Sequence, residues 1–69
     1  MHTVGVSVNG ALREIAAGTT VAALVRELGA GSRGVAVAID RVVVPRSSWE
    51  DVVVEAGAHV EVVTAVAGG

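Results

Sequence analysis

One stretch of this chain places its apolar residues at helical spacing, and the other apolar runs do not. Val21, Leu24, Val25 and Leu28 recur at i, i+3, i+4 and i+7, which puts four apolar side chains on one stripe of a helix. Thr19 or Thr20 can cap its start by accepting from an orphan backbone N–H. Gly29 sits where the residue past a helix end takes left-handed φ. Arg26 and Glu27 point to water. A single amphipathic helix needs a surface to cover, and valine-rich runs on both sides of it supply strands. The pattern predicts an α+β domain, a mixed sheet with the helix packed on one face.

The strands follow in order. Thr3–Val8 alternates, with Val4, Val6 and Val8 on one face, as in a half-buried strand. Asn9-Gly10 is the strongest short hairpin signal, because both turn residues must take φ > 0. The return strand, about Ala11–Ile15, holds Leu12 and Ile15 at opposite parity, so one of them is partly exposed or the strand bulges. Ala17-Gly18 ends it. After the helix, Ala30–Gly34 reads as a flexible loop. Val35-Ala36-Val37-Ala38-Ile39 is continuously apolar, which suits a central strand buried on both faces. Asp40-Arg41 makes a tight turn into Val42–Val44, and Pro45 stops that strand. Ser47-Ser48-Trp49-Glu50 has the form of a capping box, Ser47 capping and Glu50 reaching back, over one short helical turn with Trp49 folded onto the core. Val52–Val54 reads either as a short edge strand or as a loop. Ala56-Gly57-Ala58 turns, and His59–Val66 is the last strand, with Val60 and Val62 inward. The order is β-β-α-β-β-β.

Composition narrows the function classes. A chain of 69 residues holds one core and is marginal by size. With no Cys, no disulfide or thiolate metal site staples it. Its apolar content of 52% must hold it together instead. A net charge of −2 gives no basic field for nucleic acid, and the single aromatic, Trp49, offers no stacking platform for bases. No apolar run has membrane-spanning length and no signal-peptide pattern opens the chain, so the expectation is a cytoplasmic protein that binds neither nucleic acid nor membrane. No triad spacing surrounds His2 or His59. The glycines at 29–34 follow the helix instead of preceding it, unlike a phosphate loop. A catalytic role is therefore not expected, nor a bound metal or cofactor.

The feature that points to function is Val66-Ala67-Gly68-Gly69. At average glycine usage a chain ends Gly-Gly roughly once in 200. Glycine has no Cβ, so such a tail is thin enough to thread a narrow channel and present its carboxylate to another protein. Its bland counterpart is a frayed terminus or a cloning scar. The division expected is a folded domain over 1–65 and a flexible tail over 66–69. Val63 and Val66 have the wrong parity for the core that Val60 and Val62 define, and the Ala36/Ala38 face is uncovered if only one helix packs on the sheet. Either Val52–Val54 or the loops cover these positions, or they form an exposed patch for a partner.

Taken together, Val8-Asn9-Gly10, the Thr20–Leu28 helix, Val44-Pro45-Arg46-Ser47-Ser48-Trp49 and Val62–Gly69 resemble the ThiS family, ubiquitin-like sulfur carriers of thiamine biosynthesis. The resemblance covers essentially the whole chain. Asp40 departs from it where Asn is more frequent, and Ala58 where Asp is. The resemblance implies a β-grasp fold of four to five strands, the last parallel to the first and beside it at the sheet centre. It implies that a ThiF-like adenylyltransferase uses MgATP to convert the Gly69 carboxylate to an acyl adenylate. Sulfur from a cysteine desulfurase or rhodanese-type donor then gives a thiocarboxylate, which a ThiG-like thiazole synthase accepts. In this reading Gly69 carries the sulfur, and Gly68, Ala67 and Val66 form the stem presented to partners. Arg46 and Val63 are candidate partner contacts, while Trp49 is a core anchor. A sulfur carrier of another pathway, such as the small subunit of molybdopterin synthase, and a β-grasp binding module that is never activated remain as alternatives.

Overall fold

The computed structural model describes residues 2–29 and 34–64. β1 (Thr3–Val8) and β2 (Ala11–Ala16) form a hairpin, α1 (Val21–Glu27) follows, β3 (Val35–Ile39) and β4 (Val42–Val44) form a second hairpin, and β5 (His59–Thr64) comes last. These five strands make one sheet in the order β2-β1-β5-β3-β4. β5 is parallel to β1 through Ser7↔His59 and Val8↔Val60. It is antiparallel to β3 from Val35↔Thr64 to Ile39↔Val60. The last strand therefore slots between two hairpins, as expected of a parallel first and last strand at the centre.

Side-chain parity fixes what each face of the sheet holds. Val6, Val8, Ile15, Val37 and Val60 lie on the face under α1 and are buried with Val21, Leu24, Val25, Trp49 and Val54 in one core. A helix as short as α1 is marginal by itself. Burying Val21, Leu24 and Val25 holds it in place, each such side chain contributing roughly 1.5–3 kcal/mol. Thr20 is the cap, its Oγ1 accepting from the Ala23 N–H at 3.2 Å, and Gly29 takes φ +70°. The Ala30–Gly34 loop falls largely outside the described residues; Gly34 takes φ +69°.

Two turns use left-handed backbone. Asn9 and Gly10 have φ of 52° and 87°, and the register from Val8↔Ala11 to Thr3↔Ala16 is unbroken. The parity conflict in β2 is thus resolved by exposure and not by a bulge: Ile15 is buried and Leu12 is 90% exposed. The Asp40-Arg41 turn needs the same geometry without a glycine, at φ of 50° and 71°, and Arg41 bears the steric cost there. Asp40 is held by β5: its N–H donates to the His59 carbonyl at 2.8 Å, and its Oδ1 accepts from the His59 N–H at 3.0 Å.

Three expectations are corrected. β3 is interior to the sheet but buried on one face only; Val35 and Val37 are buried while Ala36 is exposed, because α1 covers one side and no described element covers the other. The capping box does not form. Residues Arg46–Ser48 make one 3₁₀ turn that starts after Pro45, without a side-chain cap, so Ser47 lies inside it; main-chain carbonyls take the Ser48 N–H (Pro45, 2.8 Å) and the Trp49 N–H (Arg46, 3.1 Å). Trp49 is folded onto the core as expected, its Nε1–H satisfied by the Val44 carbonyl at 2.9 Å. Val52–Val54 joins no sheet edge and is no loose loop either. It straps the helix start, with Val21 N–H donating to Val52 and Val54 N–H to Thr19, both at 2.9 Å.

Candidate functional site

The candidate site begins where β5 ends. Val66, Ala67, Gly68 and Gly69 lie outside the described residues, so the site is built from the strand that precedes them. β5 pairs with β3 along its length, and Thr64 at its end is exposed. His59, Glu61 and Val63 alternate onto the face that α1 does not cover, since Val60 and Val62 share parity with the core-facing Val8 and Val37. Val63 is 62% exposed.

The register assembles a continuous surface around Val63. Ala36 is its cross-strand partner, Ala38 pairs with Glu61, and Val43 of β4 pairs with Ala38. Val43 is 68% exposed. Val63, Ala36, Ala38 and Val43 thus form an apolar strip across three strands beside the end of β5, with Glu61 as its charge. Of the two outcomes open for this face, exposure holds at Val63 and Ala36, and no described loop covers them; Val66 lies outside the described residues. Toward β1 and β2 the same face becomes polar. His59 Nδ1 and Ser7 Oγ are 3.0 Å apart, and Leu12, opposite Ser7, is the exception. Among the described residues, which include His2 and His59, no group of three His, Cys, Asp or Glu is placed to hold a metal ion.

Arg46 lies elsewhere. Its guanidinium sits 5.4 Å from the centre of the Trp49 ring, a cation–π distance. It lines a shallow groove with Ala22, Val25 and Arg26 of α1. The two candidate partner contacts, Arg46 and Val63, are therefore on opposite sides of the sheet and cannot belong to one small footprint. Two features of the site were not anticipated. Val43 joins the strip because the tight Asp40-Arg41 turn, already legible in the sequence, pairs it with Ala38. Asn9, a turn residue by its sequence, reaches β5 with its side chain, its Oδ1 accepting from the Val62 N–H at 2.9 Å.

No described helix is long and apolar enough to cross a membrane. A sequence model of the ThiS family matches residues 6–69. A thiazole synthase of Paramagnetospirillum magneticum is 44% identical over 62 residues, which are 90% of this chain and 19% of that protein. The chain thus spans about a fifth of the length of that relative. A solved structure of a thiamine biosynthesis protein (ThiS) from Geobacter metallireducens superposes with a TM-score of 0.79, covering 96% of this chain and all of that one, at 25% identity. The five-stranded mixed sheet under one helix is the β-grasp arrangement of that neighbour.

Proposed function

Because the chain belongs to the ThiS family, small sulfur carriers of thiamine biosynthesis, we propose that Gly69 is the group that carries sulfur. The observation that carries this reading is the family match through residue 69, on a chain whose last described strand lies in the middle of the sheet and ends at Thr64. No side chain after Val66 is larger than a methyl, which suits a narrow active-site channel.

The chemistry follows from the weakness of a carboxylate as an electrophile. A ThiF-like adenylyltransferase joins the Gly69 carboxylate to the AMP portion of MgATP and releases pyrophosphate. The terminal sulfur of a persulfide, from a cysteine desulfurase or a rhodanese-type donor, attacks the acyl carbon and AMP leaves. A second thiol cleaves the resulting S–S bond, giving a thiocarboxylate on Gly69 and a disulfide on the donor side. A ThiG-like thiazole synthase then takes the sulfur for the thiazole ring. The carrier is a co-substrate of these enzymes and performs no chemistry by itself. The absence of Cys supports the scheme, because no internal thiol competes for the activated end.

Residues 1–65 serve as the folded handle and 66–69 as the reacting tail. The strip at Val63 and Val43 is the docking face beside the end of β5, apolar enough to mark a partner surface. A thiazole synthase that carries a segment like this chain within its own length supports pairing with such an enzyme.

Thiol-selective alkylation followed by mass spectrometry of the C-terminal fragment tests the proposal. With no Cys in the chain, label on the Gly69 fragment after incubation with MgATP, a persulfide source and the adenylyltransferase establishes the thiocarboxylate. A variant lacking Gly69 is expected to take no label while its Tm stays within about 1 °C, the tail being outside the patterned core. Absence of label on the intact protein overturns the proposal and favours a binding module that is never activated.

A further inference from the structure

The Asn9-Gly10 turn also acts on β5. β1 ends at Val8, and Asn9, at φ 52°, sends the main chain away toward β2. β5 continues past that point to Thr64. The peptide groups of alternate residues entering and along β5 face β1: Ser7 N–H donates to the Ala58 carbonyl at 2.9 Å and Asn9 N–H to the Val60 carbonyl at 2.8 Å. Val62 is next in this series, where β1 has no main chain left to offer. The side chain of Asn9 takes its place. Its Oδ1 accepts from the Val62 N–H at 2.9 Å, and its Nδ2 donates to the Val62 carbonyl at 3.2 Å. A carboxamide carries the donor and acceptor of a peptide group, so one side chain adds one more rung to the parallel ladder.

The turn alone does not require this residue. Glycine or aspartate also serves a hairpin position with φ > 0, but neither can donate to Val62 and accept from it at once. We infer that Asn9 is a positioning residue of the carrier: it clamps β5 to the β1 side at Val62, two residues before the strand ends, and so fixes the end of β5 from which the reacting segment departs and on which Val63 is displayed. This inference rests on the carrier reading. Beyond Val60, β5 is otherwise paired only on its β3 side among the described residues. Without the clamp this end of the strand populates more than one course, and a partner that accepts one of them binds in proportion to its population.

Two variants test the inference. Asn9→Gly keeps the turn and removes both side-chain bonds. Asn9→Asp keeps the Oδ1 acceptor but sets a second carboxylate oxygen against the Val62 carbonyl. Amide hydrogen exchange by NMR, thermal melts and steady-state adenylylation with the cognate adenylyltransferase are measured on the full chain. For Asn9→Gly we expect the Val62 amide to exchange about tenfold faster, while the Leu24 amide inside the helix exchanges as before. KM for the carrier should rise about fivefold with kcat unchanged within about twofold, and Asn9→Asp should raise KM at least as much. An unchanged Val62 exchange rate overturns the clamp. Faster exchange with an unchanged KM overturns the positioning role, as does a KM that rises only in step with loss of folded protein. If the parent protein itself is not adenylylated, the carrier reading fails, and Val62 exchange alone then decides the clamp.

Discussion

The two faces of the sheet are made of the same residue type and meet opposite fates. Val60 and Val62 turn toward α1, and Val60 is 1% exposed. Val63, their neighbour in the same strand, is 62% exposed. In the β3–β4 hairpin Val37 is buried while Val43 is not. Hydrophobicity does not separate these valines; parity does, because successive side chains alternate across a pleated strand. The covered face supplies the stability of a small domain. The open face holds apolar side chains that the described elements leave largely uncovered, the surface proposed above as a docking face.

Substitutions on the two faces should separate accordingly. Leu24→Ala empties the centre of the covered side and is expected to lower stability by about 2–5 kcal/mol, read as a shift in the urea midpoint at constant slope. A loss below about 1 kcal/mol would mean that α1 is not what closes the core. A smaller effect of opposite sign is expected at the edge of the sheet. Arg41→Gly relieves a left-handed backbone and should stabilise by roughly 0.5–1 kcal/mol, the steric relief exceeding the added entropy of the unfolded chain; a destabilised variant would show that Arg41 makes a compensating contact. The smallest expected effect is at Val63→Thr, within about 0.5 kcal/mol of the parent. That substitution sharpens the comparison when carried into an adenylylation assay. A raised KM without loss of stability marks the open face as an interface, and unchanged values in both assays would remove it from the docking surface.

These contrasts also show how far the sequence could be read. The α1 stripe, the β1 alternation and the Asn9-Gly10 turn are local patterns, and each stands in the structure where local rules put it. Ala36 was legible only as one of two outcomes, since burial of a strand's second face depends on whether another element exists to cover it. Ser47 and Glu50 carry the letters of a capping box, yet the turn spans Arg46–Ser48 with Pro45 before it, so Ser47 lies inside the turn and not at its cap. Asn9 had two roles and only one was visible. Its left-handed backbone is a property of the dipeptide, whereas its bonds to Val62 span 53 positions and depend on where β5 lies. Arg46 and Val63 could each be singled out, but their placement on opposite sides of the sheet is a matter of topology and not of either residue's surroundings in sequence.

The position of β5 has a consequence for how the protein is made. The strand that completes the sheet follows the other four in the chain, and its neighbour β1 precedes them all. Until β5 arrives, the chain holds two separate hairpins and a helix with no continuous surface to lie on, so folding waits on a contact between distant parts of the chain, the slow kind of closure. Any enzyme that docks on the open face beside the end of β5 meets a surface that does not exist in an unfinished or misfolded copy. On the carrier reading proposed above, the central strand thereby makes completed folding a precondition for docking.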